Sequence, residues 1–163
     1  MDIAIVRVDN RLVHGQILEA WVPFVKASCI IVVDDHVASD FFRETVIKMA
    51  VPRDVEVIIS NVEDFSRNFI YKNNGRGKKA IVLFSEIADA LRAFQGGFKF
   101  SKLNIGNVYN EKCVKQCSPS VLLGDGEIHT AKILLAAGID IDIRRVPTEK
   151  QIDLRRLIKG IGS

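Results

Sequence analysis

Five apolar runs, rich in β-branched residues and spaced by stretches of helical periodicity, constrain the fold of this chain more than any other feature. They are Ile3-Ala4-Ile5-Val6, Cys29-Ile30-Ile31-Val32-Val33, Val55 to Ile59, Ala80-Ile81-Val82-Leu83-Phe84 and the shorter Lys102 to Ile105. Runs with little polar alternation suit strands covered on both faces, the situation of a parallel sheet. Helices are expected at 15–26, 37–50, 62–71, 86–95 and 127–137. In the fourth, Ile87, Leu91 and Phe94 recur at helical spacing before Gly96-Gly97 stops it. Strand–helix alternation predicts right-handed crossovers and an α/β fold: an open, doubly wound, mainly parallel sheet with an antiparallel edge strand and helices on both faces.

The last third is less regular. Val114 to Leu123 is β-like but contains Pro119, which predicts an edge or a bent strand. Ile139 to Val146 alternates Ile with Asp or Arg, the pattern of a half-exposed strand at a sheet edge. Asp153 to Ile161 reads as a short terminal helix that frays at Gly160 and Gly162, and Asn73-Asn74-Gly75-Arg76-Gly77 as a turn. Pro23 is expected to kink or shorten the first helix.

A chain of 163 residues with 48% apolar residues can bury a core without disulfides or metal, so one domain spanning 1–163 is expected. The formal net charge of +3 is spread over short clusters with no interleaved aromatics, which argues against a nucleic-acid groove. Three cysteines make a poor disulfide framework, and Cys113, Cys117 and His129 fall short of a four-ligand metal set. No apolar run is long enough to cross a bilayer. Met1-Asp2-Ile3 does not lead a basic region into an apolar stretch, so an intracellular protein without a secretory signal is expected.

In open parallel sheets, ligands bind where the carboxyl ends of strands meet loops and helix starts. The first such loop, Arg7 to Gln16, is dense in functional side chains. His14 is its only histidine and has the chemistry of a phosphoryl carrier: one ring nitrogen free to attack, the other held by a hydrogen bond. Arg11 offers a planar fork for phosphate oxygens. Gly15 lets backbone approach closely, and a helix start aims unpaired N–H groups at an anion while disfavouring imidazolium. Asn10 and Val13 lie in the same loop as phosphate-binding candidates, and Arg7 as a support. Asp9 is placed to orient either His14 or Arg11. Asp35 reads equally as a support of the loop or as a helix cap, and Ser85 as a hydrogen-bond donor to the phosphate or a cap. Trp21 reads as a core or interface anchor. Taken by itself, the loop is also compatible with a salt-bridged surface segment.

The segment Arg7-x-Asp9-x-Arg11-Leu12-x-His14-Gly15-Gln16, followed by Trp21, resembles the active-site signature of IIB proteins of the mannose/fructose/sorbose family of the bacterial phosphoenolpyruvate-dependent sugar phosphotransferase system. Val32 to Asp40, Leu83-Phe84, Asn104-Ile105-Gly106 and Ile143 to Pro147 resemble later blocks of that family. The chain differs from the family pattern at His36, at Gly106-Asn107-Val108, at Pro119 and at Pro23. The resemblance implies that His14 accepts a phosphoryl group from a phosphohistidine of a IIA component and passes it to a sugar held by membrane IIC and IID components. Arg11 and Asp9 would then surround it, without metal or organic cofactor. It also implies a cytoplasmic protein held peripherally at the membrane through those partners; a homodimer is left open. Two other readings stand beside it. One is a regulatory phosphohistidine module with no sugar-transfer partner. The other is a nucleotide-binding domain, which the lack of a Walker or G-x-G-x-x-G loop disfavours.

Overall fold

The computed structural model describes residues 1–69 and 77–159, and within them the apolar runs become the strands of one twisted sheet. These are β1 (Asp2–Asp9), β2 (Cys29–Val33), β3 (Glu56–Ser60), β4 (Lys79–Phe84), β5 (Lys102–Asn107), β8 (Asp140–Ile143) and β9 (Ile152–Asp153). Their order is β3-β2-β4-β1-β5-β8-β9. Every pairing is parallel except β8 with β9, which is antiparallel. The fold is therefore the expected mainly parallel α/β sheet with an antiparallel edge. The edge strand is the two-residue β9, however. The alternating segment 139–146 supplies β8, which pairs on both sides.

Alternate residues of the central strands divide between two cores, as a period of two requires. Ile30, Val32, Ile81 and Leu83 pack with Leu12, Ile17, Trp21 and Val37 on one face. Cys29, Ile31, Val33, Val82 and Phe84 pack with Phe65, Ile87, Ala90, Ile128 and Leu134 on the other. The first face carries α1 (Val22–Val25) and α2 (Asp35–Ala38), followed by α3 (Phe41–Ala50). The second carries α4 (Val62–Asn68), α5 (Ile87–Gln95), α6 (Asp125–Ala136) and α7 (Leu154–Leu157). One expected helix, 37–50, is thus two, each with its own cap: Asp34 accepts from Val37 N–H and Asp40 from Arg43 N–H.

The segment 114–123 forms a separate antiparallel hairpin, β6 (Lys115–Ser118) with β7 (Val121–Leu123), turning at Pro119 and Ser120. Ser120 Oγ donates to the Gly106 carbonyl at 2.8 Å and thereby pins the hairpin to the end of β5. The first helix departs from ideal geometry: Gln16–Trp21 is a π-helix that leads into α1. Pro23 stands at the start of α1, where its missing N–H costs little, and the chain leaves α1 through Lys26 at φ 57°. Residues 73–76, 160 and 162 of the expected turn and fraying terminus lie outside the described residues.

Candidate active site

Residues two apart on a strand share a face, so Arg7 and Asp9 at the end of β1 project to the same side, toward the π-helix. Both are fully buried. A buried guanidinium is tolerated only when its donors are satisfied. Arg7 uses four of its five N–H groups: Nε and Nη2 donate to Asp9 Oδ2 at 3.4 and 3.0 Å, and Nη1 donates to Asn104 Oδ1 at 2.7 Å and to the Arg144 carbonyl at 3.0 Å. Asn104 is held in turn by donating to Asp142 Oδ2 and the Arg144 carbonyl. Gly106 makes this burial sterically feasible, because a Cβ there would fall inside the guanidinium. The Trp21 ring closes the cluster. Its centroid lies 5.4 Å from Arg7 Cζ and 5.0 Å from Arg144 Cζ, and its Nε1–H donates to the Arg145 carbonyl.

Asp9 is the hub of the loop. Its Oδ1 accepts from Arg11 N–H at 2.9 Å, which folds the chain back over the strand end. Its Oδ2 accepts from Arg7, from Asn107 Nδ2 at 3.0 Å and from His14 Nε2 at 2.6 Å. Burial alone would push this carboxyl up. The His14 hydrogen bond, the Arg7 and His14 charges and the Arg11 N–H together hold it below the usual carboxylate range. An ionised carboxylate can only accept, so His14 Nε2 carries a hydrogen, and in the neutral form of the ring the lone pair resides on Nδ1.

The loop brings that lone pair to Gln16 N–H, which donates to it. Leu12 adopts φ 57°, a conformation costly for a branched side chain, and its N–H bonds the Asp9 carbonyl. The cost is offset because this turn drops the Leu12 side chain into the core, where it is 3% exposed. His14 then opens the π-helix, with its carbonyl accepting from Ile17 and Leu18 N–H. Its side chain is 13% exposed, and Nδ1 lies 3.4 Å from Gln16 N–H. Among the described residues, the N–H groups of Val13, His14 and Gly15 make no hydrogen bond. Such a run of consecutive N–H groups is the raw material of an anion-binding nest. A Cβ at Gly15 would meet only Glu19, at 3.9 Å, so the space above the loop is open.

The remaining candidates divide. The Arg11 side chain is exposed and, among the described residues, makes no ion pair or hydrogen bond, so it is free to turn toward a ligand at His14. Asn10 bridges the loop to two neighbours, donating to the Ser85 carbonyl at 2.6 Å and accepting from Tyr109 N–H at 2.7 Å. Ser85 has one hydroxyl hydrogen and donates it to the buried Asp34 at 2.5 Å. Asp35 is directed away from the loop, to Val62 N–H at 2.9 Å and Arg92 at 3.0 Å. The Val62 N–H, then Arg92, keep its carboxyl below the ordinary range despite some burial. Asn104, Asn107, Gln16 and Asp34 complete the site, yet none stood out in the sequence as a site residue. By sequence Arg7 to Asp9 fall in a loop, whereas β1 continues through Asp9 and so puts Arg7 and Asp9 on one face; nothing local signals Asn107.

This geometry sits within a wider likeness to known proteins. Residues 3–162 match the family described as the PTS system sorbose subfamily IIB component. The mannose-specific EIIAB component of Escherichia coli strain K12 is 32% identical over 99% of this chain and 50% of its own length, so the chain spans half of that relative. The fructose-specific EIIB component of Bacillus subtilis is 27% identical over 99% of this chain and 98% of its own, and the sorbose-specific EIIB component of Lacticaseibacillus casei 31% identical over 94% and 93%. Among solved structures, the IIBSor domain of the Klebsiella pneumoniae sorbose permease superposes with a TM-score of 0.86 at 27% identity, covering 99% of both chains. The manxB structure from Thermoanaerobacter tengcongensis gives 0.88 at 28% identity, covering 99% of this chain and 98% of its own. The chain therefore belongs to the family of sorbose-subfamily IIB components of the sugar phosphotransferase system.

Proposed function

We propose that residues 1–163 form one phosphoryl-carrier domain, in which Nδ1 of His14 accepts a phosphoryl group from a phosphohistidine of a IIA component and delivers it to a sugar presented by membrane IIC and IID components. The observation that carries this reading is the 2.6 Å contact between His14 Nε2 and the buried Asp9 carboxylate. It supports the tautomer that leaves the lone pair on Nδ1, the nitrogen that would attack phosphorus.

The electron bookkeeping is simple. The Nδ1 lone pair attacks phosphorus as the donor N–P bond breaks, and the bonding pair returns to the donor imidazole. The His14 ring gains positive charge while keeping its Nε2 hydrogen, and the adjacent Asp9 anion stabilises that charge. No proton changes residue in this step. The phosphoryl oxygens meet the unpaired N–H groups of Val13, His14 and Gly15 and the exposed fork of Arg11, with Asn10 holding the loop. In the onward step the N–P pair returns to Nδ1, an alcohol oxygen takes the phosphoryl group, and its proton leaves to a base of the acceptor's site. No helix among the described residues is long and apolar enough to cross a membrane, so contact with a membrane-held sugar would run through partners.

Incubation with phosphoenolpyruvate, the general phosphotransferase proteins and the cognate IIA component should place acid-labile phosphate on His14. His14→Ala should take none, and Arg11→Ala should lose about 10²-fold in rate. Normal uptake by His14→Ala would overturn the assignment.

A further inference from the structure

Asn107 donates with both hydrogens of its side-chain amide, one to Asp9 Oδ2 at 3.0 Å and the other to Gln16 Oε1 at 3.2 Å. It thus grips the two residues that touch the two ring nitrogens of His14, for Asp9 meets Nε2 and Gln16 N–H faces Nδ1. The polarity of this chain is not arbitrary. Asp9 is ionised and can only accept, so Asn107 must turn its nitrogen toward it. The second hydrogen of that nitrogen then reaches Gln16, which must answer with its oxygen. The Gln16 Nε2 hydrogens are left over, and among the described residues they make no hydrogen bond.

We infer that Gln16 is a catalytic residue whose side-chain amide donates to an oxygen of the phosphoryl group on His14, and that Asn107 is the positioning residue that fixes the amide in the donating orientation. Gln16 stands one residue beyond Gly15, on the first turn of the π-helix, and its backbone N–H already faces Nδ1. A planar amide clamped at its oxygen presents its nitrogen with little reorganisation, which is what makes a donor effective when charge moves on the phosphoryl oxygens. The same chain links polarity over three residues: removing the Asn107 amide frees Gln16 to turn its oxygen toward the phosphoryl group, where acceptor would face acceptor.

The inference rests on His14 as the phosphorylated residue, and the test separates the two. Full-length protein is phosphorylated with phosphoenolpyruvate, the general components and the IIA component, the labelled residue is mapped, and the initial rate is measured for Gln16→Ala, Asn107→Ala and the double variant. Gln16→Ala should be slower by about 10- to 100-fold, Asn107→Ala by about tenfold, and the double variant no slower than Gln16→Ala within about twofold. Label on His14 together with wild-type rates for Gln16→Ala, or rate losses that multiply in the double variant, would overturn the inference while leaving the phosphoacceptor intact. Label absent from His14 would overturn both. Asn107→Asp is the second variant. It preserves shape but sets a second carboxyl against Asp9, so the pair must share a proton; the oxygen facing Gln16 is then an acceptor, Gln16 turns its nitrogen inward, and the rate should fall at least as far as in Asn107→Ala. A readout independent of turnover is the Gln16 side-chain amide resonance of ¹⁵N-labelled protein. It should shift on phosphorylation in the wild type and not in Asn107→Asp, and an unchanged wild-type resonance would contradict the proposed contact.

Discussion

Gly106 and Arg7 occupy adjoining space so closely that only the missing side chain of one admits the guanidinium of the other. Arg7 holds Asp9, and Asp9 holds His14, so a residue with no functional group underwrites the orientation of the imidazole. Gly106→Ala should expel the guanidinium from Asn104 and Asp9. Breaking one side of a buried, hydrogen-bonded charge cluster costs about 3–5 kcal/mol, so the denaturant midpoint should fall sharply. A variant as stable as the wild type would show that the strand can shift to accommodate both.

Leu12 pairs a left-handed backbone with a buried side chain. Glycine would relieve about 1–2 kcal/mol of backbone cost there, whereas alanine keeps that cost and loses the same packing. Leu12→Gly should therefore be less destabilising than Leu12→Ala, the reverse of the order usual in ordered segments. Urea unfolding of the two variants decides this, and the ordinary order would mean the turn relaxes when the side chain shrinks.

The Ser85 hydroxyl is committed to Asp34. Ser85→Ala should cost about 1–2 kcal/mol in stability, since a buried carboxylate loses a partner, while phosphoryl uptake by His14 stays within about threefold of wild type. A loss of two orders of magnitude in rate without a change in stability would mean that the hydroxyl turns to the phosphoryl group instead.

Asp9 and Asp142 tilt the acid limb of stability in opposite directions. Asp9 is depressed in the folded protein, so the unfolded chain binds the proton first. Its stabilisation is complete above the unfolded value of about 3.9 and is lost as pH falls through the lower folded value. Asp142 is raised by burial, which the Asn104 hydrogen bond and the Arg144 and Arg7 charges only partly offset. There the folded chain holds the proton more tightly, and stability is lost as pH rises from about 3.9 through the higher folded value. In a pH series of urea unfolding, Asp9→Asn should flatten the acid fall and Asp142→Asn the loss on the neutral side. Asp9→Asn should also slow phosphoryl uptake by about 10²-fold or more, since the neutral amide no longer enforces the Nε2–H tautomer. Parallel shifts in the two stability profiles would refute the assignment of opposite signs.

The apolar runs were legible as strands because strand and helix periodicities are local, and β2 appears within the residues its composition marks out. The parallel class followed from the same alternation. The hairpin at 115–123 was less legible: Pro119 signalled a break but not that both halves pair with each other apart from the main sheet. The split of 37–50 into two capped helices turned on Asp40, whose capping role depends on a local turn that composition alone did not separate from helix.

The first loop was likewise readable, since Arg7, Asp9, Arg11 and His14 stand within eight residues and their chemistry is visible without a partner. By itself the sequence determined the strand–helix rhythm, the histidine and the residues nearest to it in the chain. Only the tertiary structure decided that the Asp9 carboxylate meets the His14 ring and the Arg11 backbone N–H but not the Arg11 guanidinium, that Asp35 and the Ser85 hydroxyl serve other partners, and that Asn104, Arg144 and Asn107 complete the cluster from 97, 137 and 98 residues away. The reason is physical. Periodicity reports which face a residue occupies, but hydrogen-bond partners across a sheet depend on strand order and register, and those emerge only when whole elements pack.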